Sequence, residues 1–225
     1  MITLIKEFEN KVLLPNELNR VQPLVDHASS NGIEFKYFTT INYHYRNTNY
    51  KKVVEDNRRI RFILRKVFGY GIRFYFFIER HVDPEQKCYG GYHKHILIEE
   101  IPDHCFVNRT KKLDDIMFDV APELIFASKF GEPLKSCQKI KVLNNVIRSM
   151  CKNVPNGSLG LHTEPITNVE GVLAYCSKQF EMFKFGKLHR WYEVLDARNS
   201  DCDFNYLLDR YDRKQQQTRY ETVLT

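Results

Sequence analysis

Four residues in one short stretch have the types that gather around a cation: Glu79, His81, His93 and His95. In Tyr92-His93-Lys94-His95-Ile96-Leu97-Ile98 the two histidines are separated by one residue within a run of strand character. Side chains in a strand alternate between faces, so both imidazoles share one face. Two imidazoles and a carboxylate make a mixed donor set with positions open for substrate oxygens. About 80 residues downstream, Tyr175-Cys176-Ser177-Lys178 places a phenol and an ammonium at i,i+3 on an expected helix, where they are neighbours. A phenol of pKa about 10 is a weak nucleophile at neutral pH. A nearby ammonium and a cation-bound phosphate both favour the phenolate or offset the charge that develops during attack.

These residues need a hairpin to bring them together. Ile72 to His81 reads as a strand whose Ile72, Phe74, Phe76 and Ile78 alternate with Arg73, Tyr75, Phe77, Glu79 and His81. The histidine strand follows a loop ending in Gly90-Gly91. A turn centred between Glu85 and Lys87 puts Glu79 and His81 on the same face as His93 and His95. Glu79 is the first choice for the third ligand and His81 is the alternative.

The remaining chain supplies supports. Pro15-Asn16-Glu17 opens a helix that Asn31-Gly32 ends, and Phe35 to Tyr45 reads as the first strand. Lys51 to Phe68 predicts a helix with Val53, Ile60, Ile63, Leu64 and Val67 as its apolar stripe. Arg58, Arg59 and Arg65 on that helix, with Lys111 and Lys112 further on, are candidate phosphate contacts; a plain solvated surface is the alternative. Lys111 to Ala121, Pro122 to Lys129 and Leu134 to Cys151 read as helical. Leu159 to Ile166 predicts a strand, and Asn168 caps a helix from Val169 to about Phe180. Leu188 to Leu195 reads as a last strand, in which Trp191 and Tyr192 are read as core, with base stacking the alternative. Asn199 to Gln217 predicts a helical tail with Phe204, Leu207, Leu208 and Tyr211 as its apolar face.

Composition removes several classes. With 225 residues and 43% hydrophobic content, the chain can bury one large core, alone or with a small appendage. A net charge of +6 favours a polyanionic partner. The six cysteines form no CxxC pair, which argues against a zinc ribbon and for a reduced protein. There is no Walker A pattern, so no ATP-driven motor is encoded. With no signal-peptide pattern and no apolar run approaching about 18 residues, a cytoplasmic protein without a membrane partner is expected.

The order of these parts resembles the HUH endonuclease superfamily, and within it the rolling-circle replication initiators (Rep proteins). The resemblance spans roughly Phe35 to Phe180 and rests on the Tyr37-Phe38-Thr39-Thr40-Ile41-Asn42 strand, the HxH strand and the downstream YxxK. It implies an α+β, Rep-type fold, with a central antiparallel β-sheet flanked by helices. The implied layout is a helical extension packing on the core at 1–34, an endonuclease domain at 35–197 and a helical tail at 198–225. It further implies that His93, His95 and Glu79 hold a divalent metal, Mg2+ or Mn2+. Tyr175 would attack single-stranded origin DNA, keep the 5′ phosphate and free a 3′-hydroxyl, with Lys178 positioning phosphate or tyrosine. Partners would be origin DNA, a host helicase and polymerase, and a second subunit if termination uses another tyrosine. The residue between the histidines is usually hydrophobic in this family and is Lys94 here. Single-strand transposases of the superfamily share the order, and Gln179 is similar to the glutamine they use as a ligand. A non-catalytic DNA-binding replication regulator is the alternative from a different class.

Overall fold

The computed structural model describes residues 12–43, 49–69, 71–81, 91–107, 134–151, 154–155, 160–182, 194–196, 198–202 and 207. The expected helices at 111–121 and 122–129, together with Arg109, Lys111, Lys112, Trp191 and Tyr192, lie outside them. Local chemistry explains most element boundaries. Helix α1, Pro15–Ser30, starts with a proline in its first turn, and the Leu14 amide donates to Glu17 Oε2 at 3.0 Å. It runs out at Gly32, whose φ of 57° is left-handed backbone that suits glycine. Helix α2, Tyr50–Phe68, is capped by Asn49, whose side chain accepts from the Lys52 amide at 3.0 Å. It stops at Gly69, where φ is 126°. The predicted stripe Val53, Ile60, Ile63, Leu64 and Val67 is buried throughout.

Four strands form one antiparallel sheet in the order β2-β3-β1-β4: β1 is Phe35–Asn42, β2 Phe74–Arg80, β3 Tyr92–Glu99 and β4 Leu161–Pro165. The protein is therefore α+β, an antiparallel sheet with helices packed on it. In the hairpin Glu79 pairs with His93 and Phe77 with His95, a register symmetric about position 86. That is the register the shared face requires.

Both faces of the sheet are dry. Phe74, Phe76, Ile78, Ile96 and Ile98 join α2 and helix α4, Ser136–Met150, in one apolar cluster. Tyr75, Phe77, Leu97 and Phe38 join Val21, Leu24 and Ala28 of α1 and Val172 and Leu173 of helix α5, Val169–Cys176, in the other. Removing each of these large side chains from water contributes about 1.5–3 kcal/mol. On the α1/α5 face the apolar rows end at Glu79, His93 and His95, which are polar yet equally buried. A short helix α3, Asp103–Val107, was not expected and lays Phe106 into the first cluster.

Two expected elements differ. The helix from Val169 to Phe180 breaks: α5 ends at Cys176, Ser177 and Lys178 form a turn, and a short α6, Gln179–Met182, follows. Side-chain anchors on either side of the turn, described below, hold this break. The tail is not helical at its start either, since residues 198–202 are turn and bend. Leu195 bridges to Phe77, and the Asp196 and Asp201 amides donate to the Phe76 and Phe74 carbonyls at 2.8 and 2.7 Å. Ser200 Oγ and Asp201 Oδ2 accept from the amides of Phe76 and Phe74, each at 2.9 Å. This strip closes the outer edge of β2, and Asp201 also pairs with Arg61 and Arg65 of α2. Of the predicted apolar face of the tail, Leu207 is described and is buried.

Candidate metal centre

The hairpin register carries Glu79 to the last residues of β2, opposite His93, with His95 two residues further along the same face. The strand alternation that aligns them sends Lys94 through to the other face. His93 Nε2 lies 2.9 Å from Glu79 Oε2, and His95 Nε2 lies 3.6 Å from Glu79 Oε1. All three residues are buried, and each offers a donor atom within 4.8 Å of the others. His81 is not part of this group; its ring lies tilted against that of His93, with centroids 4.5 Å apart, at the half-buried rim.

The donor set fits a cation. Among the described residues, no well-directed hydrogen bond reaches the buried Glu79 oxygens, His95 Nε2 or His93 Nδ1. Polar atoms buried in this way cost free energy unless something accepts their lone pairs. On the neighbouring strand Thr40 pairs with His95, and its Oγ1 lies 3.0 Å from His95 Nδ1. With Nδ1–H donating to Thr40, Nε2 keeps its lone pair and faces Glu79.

Charge states follow from surroundings. Burial alone would push the Glu79 carboxyl up; the neighbouring His95, His93 and Lys178 more than offset this and bring it down to about 2. Burial lowers His95 well below the ordinary imidazole range, against the opposing pull of Glu79. Burial, followed by the neighbouring His93, lowers His81 to about 4. The centre thus presents an ionised carboxylate, the form a cation ligand needs.

Tyr175 and Lys178 reach the same place from the α5 side. The Tyr175 ring stands edge-on to His95, centroids 5.1 Å apart, and edge-on to Phe38. Lys178 Nζ lies 2.6 Å from Glu79 Oε2 and 3.7 Å from the centre of the Tyr175 ring. The ammonium therefore contacts the ring of the phenol. Burial first, then the Glu79 charge, raises the Tyr175 pKa above its ordinary value.

The turn between α5 and α6 is anchored on both sides of Lys178. Arg20 Nε of α1 donates to Ser177 Oγ at 3.1 Å. Gln179 grips the backbone of β2: it accepts from the Arg80 amide at 3.1 Å and donates to the Arg80 carbonyl at 2.9 Å. Gln179 therefore spends both ends of its amide on β2 beside Glu79. Sequence reasoning found neither this bracket nor Thr40's hold on His95, because both depend on which strands become neighbours.

The basic helix lies elsewhere. Arg58, Arg59 and Arg65 belong to α2, which packs on the sheet face opposite Glu79, His93 and His95. Arg58 is exposed, whereas Arg59 pairs with Glu55 at 2.7 Å and Arg65 with Asp201. On that same face Lys94 is fully buried, its Nζ 5.2 Å from the centre of the Tyr43 ring. Among the described residues no hydrogen bond reaches that nitrogen, and burial lowers its pKa against the attraction of Cys151, Asp56 and Asp196. Among the described residues no helix is long and apolar enough to cross a membrane.

No protein-family model matches this chain, and neither a curated protein nor a solved structure does.

Proposed function

We propose that this chain is a metal-dependent endonuclease for single-stranded DNA, built on a Rep-type (HUH) fold and acting as a rolling-circle replication initiator. The observation that carries this reading is the convergence of Glu79, His93 and His95 with Tyr175, whose ring stands 5.1 Å from that of His95. Two stretches about 80 residues apart supply a cation site and a phenol in one buried cluster. A divalent ion there, Mg2+ or Mn2+, supplies Lewis-acid polarisation of the scissile phosphate. Thr40 orients the His95 ring through Nδ1, and Glu79 supplies the carboxylate charge. Tyr175 Oη forms a bond to phosphorus while the bond from phosphorus to the 3′ oxygen breaks. The phenol gives up its proton, and the 3′ oxygen leaves as a hydroxyl that a host polymerase extends, with a host helicase opening the duplex.

Gln179 favours the initiator over a single-strand transposase. Both ends of its side chain are engaged by the Arg80 backbone, so it is not aimed at the donor set as a ligand. The decisive experiment incubates the protein with labelled single-stranded DNA pools and Mn2+ and looks for an adduct that survives denaturation. Wild type forms it, and Tyr175→Phe does not. DNA binding without an adduct leaves a non-catalytic replication regulator as the better description.

A further inference from the structure

We propose that Lys178 is the resident counter-cation of the Glu79–His93–His95 centre, occupying the carboxylate until a divalent ion displaces it. This rests on the metal centre argued above but not on the nuclease chemistry. Glu79 is fully buried, and of the described groups within ion-pair distance of it only Lys178 carries a positive charge in its ordinary state at neutral pH. Its Nζ sits 2.6 Å from Oε2, the same oxygen that lies 2.9 Å from His93 Nε2. The ammonium thus stands at the edge of the donor set that a divalent ion must use. Two cations cannot share that edge, because like charges a few ångströms apart in a buried site repel strongly.

The surroundings let the side chain leave while the backbone stays. Ser177 is tied to Arg20, and Gln179 is bracketed on Arg80, so the turn itself is held. Lys178 is 36% exposed, which gives its ammonium a route to solvent that Glu79, at 0%, lacks. The Tyr175 ring face, 3.7 Å from Nζ, is a second cradle already in contact. Displacement therefore moves the ammonium onto the Tyr175 ring face or out to solvent.

The test measures Mn2+ affinity by calorimetry for wild type, Lys178→Met, Lys178→Gln and His93→Ala, with no DNA present. Removing the competing charge is expected to tighten Mn2+ binding on the order of tenfold in both Lys178 variants. His93→Ala should abolish binding. Equal or weaker affinity in the Lys178 variants overturns the counter-cation role while leaving the metal centre intact. Absence of binding in every protein overturns both. A measurement on unaltered protein guards against variants that fold poorly: the Lys178 side-chain ammonium NMR signal. It should exchange slowly with water in chelator-treated protein and rapidly once Mg2+ saturates the site. An unchanged signal at saturation counts against the proposal.

Discussion

Thr40 Oγ1 and His95 Nδ1 lie 3.0 Å apart across paired strands, and this contact selects which ring nitrogen faces Glu79. Thr40→Val keeps the side-chain shape and removes the hydroxyl, so the imidazole loses the partner that orients it. Metal affinity should fall about 10- to 100-fold, the usual cost of losing such a support. Calorimetric titration with Mn2+ measures the loss, and thermal unfolding should change by only about 1 kcal/mol.

Glu79 and Lys178 should not be equivalent partners in stability. Lys178→Met leaves a buried carboxylate without its cation, expected to cost on the order of 3 kcal/mol in metal-free protein, toward the low end because Lys178 is partly exposed. Glu79→Gln frees an ammonium that can turn to water, and should cost less. Added Mn2+ should restore stability to Lys178→Met and not to Glu79→Gln. Denaturant unfolding with and without metal tests the asymmetry; equal losses would speak against it.

Gln179→Ala removes both hydrogen bonds to the Arg80 backbone while leaving every proposed ligand in place. The expected stability loss is about 1–3 kcal/mol, two ordinary hydrogen bonds. Single-turnover cleavage should slow at least tenfold, since small misplacements of a nucleophile have large effects. Mn2+ affinity should stay within a factor of two, which separates a positioning role from a ligand role.

Alkaline pH should unfold the protein through its tyrosines. Burial is the largest cause raising Tyr37, Tyr43, Tyr75 and Tyr175, with Tyr37 reaching about 12. The folded state binds these protons more tightly than the unfolded chain, whose tyrosines titrate near about 10. The stability they contribute is complete below that value and is lost as pH rises through the folded pKa values. Tyrosinate absorbance and far-ultraviolet circular dichroism should therefore change together, starting above about pH 10.

What the sequence revealed, and what it hid, divides by the range of the forces involved. The α2 stripe, the Asn168 cap and the common face of Glu79 and His93 follow from periodicity and neighbouring residues. The break after Cys176 does not, because Val172, Leu173, Cys176 and Phe180 keep a helical apolar pattern across it. Its anchors are Arg20 and Arg80, distant along the chain. The fate of the α2 arginines was hidden for the same reason. Nothing near Arg65 announces that Asp201 will take its charge. Lys94 reads as a flaw in an HxH motif, yet its side chain belongs to the opposite face of the sheet, beside Tyr43.

The closure of β2 by residues 194–202 has a bearing on synthesis. The strand ending in Glu79 leaves the ribosome long before Leu195, Ser200 and Asp201, which satisfy the outer backbone groups of Phe74 and Phe76 and the Asp201 partners on α2. Until those residues emerge, that strand has an unzipped flank, and the cluster around it lacks its last support. A nascent chain thus carries Glu79 and its histidines well before the strip that closes β2, which postpones completion of that sheet edge until residues 194–202 have been made.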